Sequence, residues 1–110
     1  MARLASGIWV SAYLRRLDLA GIPGFVVARG DATAGAVLVK VALMQGQARL
    51  YERGFDLATG EVLWRLRAEG VEGEIDTMIA RDRMRDRDLW VIEVEDRQGR
   101  CLLDEPGFNG

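Results

Sequence analysis

The residues that could do chemistry crowd into one stretch near the end of the chain. Asp86, Asp88, Glu93, Glu95 and Asp96 follow one another closely there, with Arg83, Arg85, Arg87 and Arg97 among them. Neighbouring carboxylates can divide acid and base work between them, or hold Mg²⁺ or Ca²⁺ through oxygen ligands. An enzyme built on this chain would use the carboxylates around Asp86, Asp88 and Glu93. Two features weigh against it. The spacing is not that of an EF-hand loop, and the interleaved arginines neutralise the acids. A solvated ion-pair network explains the run with no metal.

The rest of the inventory removes whole classes of chemistry. The 110 residues contain no histidine and one cysteine, Cys101. Without histidine, the commonest general acid/base and the commonest metal ligand are missing, and serine and cysteine nucleophile systems of the His-dependent kind are excluded. No phosphate-cradling glycine motif occurs, so no cofactor is expected; the glycines sit at turns. Arg29-Gly30-Asp31 matches an adhesion tripeptide but reads as a turn. Cys101 reads as a small hydrophobe rather than a nucleophile.

Composition bounds the object further. Fifteen basic and 17 acidic residues give a formal net charge of −2, which lacks the bulk attraction that DNA or a membrane surface would exert. A lone cysteine fits a reducing cytoplasm. The start is a poor signal peptide, and the apolar run 36–44, broken by Lys40, is far short of the ~20 residues that cross a bilayer. A single domain over residues 1–105 is expected, followed by a loose tail over 106–110.

These residues must be held by elements that the patterning predicts. Ser6 can cap a helix running to Ala20, where Gly21 and Pro23 end it. Its dry face is Val10, Tyr13, Leu14 and Leu17, with Trp9 beside it; Ser11, Arg15 and Asp18 mark the wet face. Phe25–Ala28 is a short strand. Residues 36–44 form the best strand, with Val37, Val39, Val41 and Leu43 on one side and Lys40 on the other. Gln45-Gly46-Gln47 turns the chain into a strand over 48–53, where Glu52 falls inward and implies a bulge near Gly54 or an edge position. Residues 61–67 alternate, with Val62, Trp64 and Leu66 inward. A second helix over 72–85 carries the stripe Val71, Ile75, Met78 and Ile79, acidic at its start and basic at its end. The final strand, 89–95, puts Trp90, Ile92 and Val94 inward and Glu93 and Glu95 outward, as counter-charges to the arginines of the preceding strand. Residues 100–103 could return as a short strand.

The fold class is therefore α+β: two layers, a mostly antiparallel sheet of about five strands with both helices on one face, in the order α-β-β-β-β-α-β.

Two blocks carry a resemblance. Arg3, Ser6-Gly7-Ile8-Trp9-Val10 and Ala12-Tyr13-Leu14-Arg15-Arg16 resemble the opening of a bacterial family, domain of unknown function 1491. Ile75-Asp76, Ala80-Arg81 and 86–96 resemble its closing block, with Arg87 standing where the family pattern has proline. The resemblance implies a cytoplasmic protein with no assigned activity, and it supplies no catalytic residues.

With both helices on one face, the other face would lie open. The alternation places Leu38, Lys40, Arg49, Tyr51, Arg53, Leu63, Arg65 and Arg67 there, with Leu89 and Val91. Aliphatic side chains rimmed by charge read as a protein-interaction face, for a homodimer or an adaptor. Anion or single-stranded nucleic-acid binding through Arg49, Arg53, Arg65 and Arg67, with Tyr51 for stacking, is the alternative. Glu61, Glu93 and Glu95 on the same face would neutralise much of that charge.

Overall fold

The computed structural model describes residues 4–108. Arg3 of the opening block and Asn109-Gly110 of the expected tail lie outside the described residues. Two helices and five strands follow in the expected order: α1 (Ser6–Leu19), β1 (Gly24–Ala28), β2 (Val37–Met44), β3 (Gln47–Phe55), β4 (Val62–Val71), α2 (Glu72–Arg85) and β5 (Trp90–Glu95). The fold is α+β, and its open sheet runs β1-β5-β2-β3-β4. Only β2 and β5 pair in parallel; β1·β5, β2·β3 and β3·β4 are antiparallel. No helix among the described residues is long and apolar enough to cross a membrane.

The helices do not share a face. Trp9, Val10, Tyr13 and Leu17 of α1 pack with Val37, Val39, Val41, Trp90, Ile92 and Val94. Ile75 and Ile79 of α2 pack with Leu38, Leu50 and Val91, the side chains that alternate to the other side. Successive strand residues point to opposite faces, so the two clusters lie on opposite sides of the sheet. The expected two-layer arrangement is corrected to a sheet with one helix on each side. The crossover explains it. β4 is an outer strand and β5 lies between β1 and β2, so the connection must cross β3 and β2 over one face, and α2 is what crosses. The apolar run of β2 was the available signal: central strands covered on both faces read as continuous apolar stretches, and Val37 to Ala42 are all buried.

On its own face, α1 shares the cover with the chain's end. Residues 100–108 form no strand. They are pinned as an irregular segment: the Tyr13 hydroxyl donates to the Cys101 carbonyl at 2.7 Å, Arg16 pairs with Glu105 at 2.9 Å, and Trp64 Nε1 donates to the Phe108 carbonyl at 2.7 Å. The Phe108 ring rests on Trp9 and Tyr13.

Ser6 does not cap α1. It is the first helical residue, and its hydroxyl donates to the Gly35 carbonyl at 2.6 Å. The loop between β1 and β2 does the capping: Ser6 and Gly7 N–H groups donate to the Thr33 and Ala32 carbonyls. The same loop meets the start of β5, where Asp31 N–H donates to the Asp88 carbonyl and Trp90 Nε1 to the Asp31 carbonyl. Arg29-Gly30-Asp31 is thus part of a structural hub. Gly30 and Gly35 both press against the Asp88 carbonyl, leaving no room for a Cβ.

α2 ends at Arg85 without a proline. Asp86 is extended, and its carboxylate accepts the Asp88 N–H at 3.0 Å, closing the turn into β5.

Candidate functional site

The expected interaction residues separate once α2 is in place. Leu38 and Lys40 are buried beneath α2. Arg49, Tyr51 and Arg53 lie on the α1 face, in register with Val41, Val39 and Trp64. Leu63, Arg65 and Arg67 belong to β4, the sheet's far edge. No open sheet face gathers all eight, because the side chains at the centre of the sheet are covered from both directions.

Their charges are engaged. Lys40 Nζ meets Glu72 at 2.8 Å, Asp76 at 2.7 Å and Glu93 at 3.3 Å. Glu93 is therefore a counter-charge, but to Lys40 and not to the arginines of β4. Burial alone would lower the Lys40 ammonium, but the hydrogen bonds it donates to Asp76 and Glu72, with the nearby Glu93 charge, outweigh that cost and hold it well above the usual lysine range. Arg49 pairs with Glu69 and Arg65 with Glu52. Arg67 forms a close pair with Asp82 of α2, and its guanidinium pulls that carboxyl below the ordinary carboxylate range. Glu52 lies on the α2 face, where it serves Arg65 and Arg67; the ladder irregularity is opposite Leu50 and Tyr51, not near Gly54. Arg53 stacks its guanidinium 4.8 Å from the Trp9 ring centroid and 5.4 Å from that of Trp64.

Asp86 and Glu93 do not share a cleft. Asp86 lines a hollow with Leu38, Arg85 and Leu89, whereas Glu93 lines a different one with Lys40. Among the described residues, no group of three Asp, Glu, Cys or His side chains is placed to hold a metal ion.

A larger concavity than either lies elsewhere. A groove of about 840 Å³ separates the start of β4 (Val62, Leu63, Trp64) from the segment 98–105, and Tyr51 and Cys101 line it. It contains two of the expected residues, Tyr51 and Leu63. Trp64 and Cys101 carried no functional signal in the sequence; they reach the groove only because the terminal segment crosses the sheet. Burial pushes both the Tyr51 hydroxyl and the Cys101 thiol up, so neither is poised to ionise near neutral pH. Leu102, at φ 60°, holds the left-handed backbone that a leucine rarely adopts, between the pinned Cys101 and the buried Leu103. A scarce thiolate makes Cys101 sluggish. Its reaction with a soluble disulfide reagent at neutral pH is expected to be at least about tenfold slower than that of free cysteine. A rate equal to free cysteine would show an accessible, unperturbed thiol.

The groove runs beside an open edge. β4 is ten residues long and bonds only to β3. Leu63 is 37% exposed and Leu66 50%, both large apolar side chains on that strand. The rim carries Glu61, Arg100, Asp104 and Glu105. Arg100 is engaged by Asp96 and Glu105 by Arg16, so Glu61 and Asp104 give the rim a negative sign. Such a site can bind an extended chain by completing a strand ladder.

Residues 4–104 match the family model described as a protein of unknown function, DUF1491. The chain belongs to this family. The resemblance read from the opening and closing blocks is borne out. The DUF1491 fold recurs in solved relatives. A crystal structure of a DUF1491 family protein from Caulobacter crescentus CB15 is 42% identical with a TM-score of 0.84, covering 94% of this chain and 98% of that one. An NMR structure of a DUF1491 family protein from the same organism is 41% identical with a TM-score of 0.80, covering 96% and 97%. A solution structure of a protein from A. tumefaciens is 36% identical with a TM-score of 0.72, covering 86% of each chain. No curated protein matches the chain. DUF1491 membership thus brings a fold and no activity.

Proposed function

We propose that this DUF1491 protein is a non-catalytic protein-interaction module of the cytoplasm that takes an extended segment of a partner onto the β4 edge. One observation carries the reading: a ten-residue strand with one side unpaired among the described residues runs beside a groove of about 840 Å³. Adding a strand to such an edge gives affinity through main-chain hydrogen bonds, and pockets for alternate side chains give selectivity. The groove favours apolar side chains from the partner, and the negative rim favours a basic residue next to them. Beyond Leu66, β4 also carries Arg67 and Glu69 and an irregularity near Arg67, devices that discourage indiscriminate edge pairing. The C-terminal half is thereby guarded, and the segment Val62–Leu66 is the part that accepts a strand.

Two other readings have less behind them. Single-stranded nucleic acid would have to displace carboxylates from Arg49, Arg65 and Arg67 and would find Tyr51 facing a groove. A carboxylate enzyme would need Asp86 and Glu93 in one cleft, and they line separate hollows.

Panning a random peptide library on the purified protein tests the proposal. Enriched peptides are expected to alternate apolar residues with at least one Lys or Arg, and to shift the amide resonances of β4. A Leu63→Glu, Leu66→Glu double variant should weaken them by about tenfold or more, roughly 1.4 kcal/mol. Peptides whose amide shifts fall away from β4, or a library with no enrichment, would refute it.

A further inference from the structure

The opposite edge of the sheet points to a different partner. β1 pairs only with β5, through Gly24↔Val94, Phe25↔Glu93, Val26↔Ile92 and Ala28↔Val91. Its sequence is Gly-Phe-Val-Val-Ala, with no charge and no proline inside the strand. Natural edge strands are usually blunted by lysine, proline or a bulge. β1 has only an irregularity at Val27, whereas β4 is guarded by charges as well. Phe25 is 44% exposed and Val27 54%.

The cover over this part of the sheet is incomplete. α2 lies against β3 and β4. A helix is about 10 Å across and strands are spaced about 4.8 Å apart, so one helix cannot cover five strands. What remains beside α2 is a trough of about 420 Å³ lined by Val27, Ala28, Ile79, Ala80 and Val91, with the Lys40 ion pairs at one end. On the other face, α1 and the segment 100–108 both contribute cover.

We propose that the protein forms a two-fold homodimer by antiparallel pairing of β1 with β1 of a second copy. The strand is self-complementary. A register centred on Val26 sets Phe25 against Val27 of the second copy, both on the α2 side of the sheet, where Phe25 stands beside Glu93 and Val27 lines the trough. Large faces medium, and no like charges meet within the strand. The two-fold brings both copies' Phe25 and Val27 together over the mouths of the two troughs. A foreign strand has no such built-in match. The contact is isologous and consumes both β1 edges, so association closes at two copies rather than growing into a fibre. The β4 edges stay free at the ends of the joined sheet, so this dimer stands or falls independently of the partner proposed for β4. The strand is short, and small interfaces of this kind belong to the weak class, with Kd about micromolar.

Sedimentation equilibrium from about 1 to about 500 µM tests it. The wild-type protein is expected to rise from the monomer mass to twice that mass. Val27→Lys and Phe25→Lys should each raise Kd by about tenfold or more, because each puts two lysines at the seam. Leu66→Lys, on β4, should leave it unchanged. Both lysines replace exposed side chains, and far-ultraviolet circular dichroism checks that the variants fold. Should either variant fail to fold, isotope-filtered NMR on mixed labelled and unlabelled wild-type protein decides the matter by contacts between the Phe25 ring of one copy and the Val27 methyls of the other. A wild-type protein that stays monomeric over this range overturns the proposal. So does a dimer insensitive to both lysine variants, or one that shows no such contacts.

Discussion

Gly35→Ala is expected to leave the protein largely unfolded at physiological temperature. A Cβ at residue 35 would overlap the Asp88 carbonyl and stand 2.8 and 2.9 Å from the Asp31 backbone oxygen and nitrogen. All three obstacles are main chain, so no side-chain rotation relieves them. Moving them would loosen the hub that caps α1, seats Trp90 and starts β5. The Gly35 carbonyl itself accepts the buried Ser6 hydroxyl. A cost of about 4 kcal/mol or more is the size expected when such a network is forced apart, and for a chain of this length that lowers Tm by roughly 15 °C or more. Gly73→Ala is the contrasting substitution. Gly73 is inside α2 with open space where a Cβ would go, so alanine there should raise stability by about 0.5–1 kcal/mol through helix propensity. Thermal melts of the two variants beside the wild type measure both effects. A Gly35→Ala protein melting within a few degrees of the wild type would mean that the loop between β1 and β2 is not the hub described here.

Lys40→Met should be the next most damaging change. The Lys40 side chain is 5% exposed and faces three carboxylates, Glu72 and Asp76 of α2 and Glu93 of β5. Methionine keeps the apolar stem and removes the ammonium, so three like charges are left facing one another without their counter-ion. Breaking a fully buried pair typically costs about 3–5 kcal/mol; these carboxylates are partly wet, and about 2–3 kcal/mol is expected. The pH dependence carries a second signature. The folded Lys40 holds its proton more tightly than the unfolded chain does, so its contribution is fully present below the unfolded lysine pKa. It is lost as pH rises above about 10.4, at about 1.4 kcal/mol per pH unit for one proton. Burial raises the Tyr13 hydroxyl in the same direction, and its contribution is likewise lost as pH rises above about 10. Burial raises the Tyr51 hydroxyl and the Cys101 thiol as well, and both act in the same direction in either protein, so the slope of Lys40→Met in that window should be shallower than that of the wild type by about one proton. Urea unfolding from about pH 9 to about pH 11.5 reads both slopes. Equal slopes for the two proteins would show that Lys40 is not held in its charged form by the fold.

Much of this molecule is legible one element at a time. α2 occupies the residues its apolar stripe and charge order mark out, because Ile75 and Ile79 recur at helical spacing between an acidic start and a basic end. The α1 face of the core is equally readable, since Trp9, Tyr13, Val39 and Ile92 belong to clean periodic sets. The candidate site is much less so. Tyr51 and Leu63 were reachable by alternation, but the groove they line depends on where residues 98–105 travel. Nothing local distinguishes an irregular segment that crosses a sheet from one that trails in solvent. Lys40 misled the reading for a related reason. A charged side chain in an alternating strand normally marks the wet face, and its three partners come from elements more than thirty residues away in the chain.

The sequence by itself determined the element order, the α+β class, the apolar set beneath α1, and the lack of histidine that removes the His-dependent nucleophile systems. These depend on periodicities and residue types that a short window contains. Only the tertiary structure decided that β5 slots between β1 and β2, that α2 must cross the face opposite α1, and that the expected open face is therefore closed. Strand order is set by contacts between distant segments, and alternation within a strand reports that two faces exist without saying what covers either one. The same long-range pairing leaves β1 and β4 as the two free edges, and the interactions proposed for this protein have moved to them from the middle of the sheet.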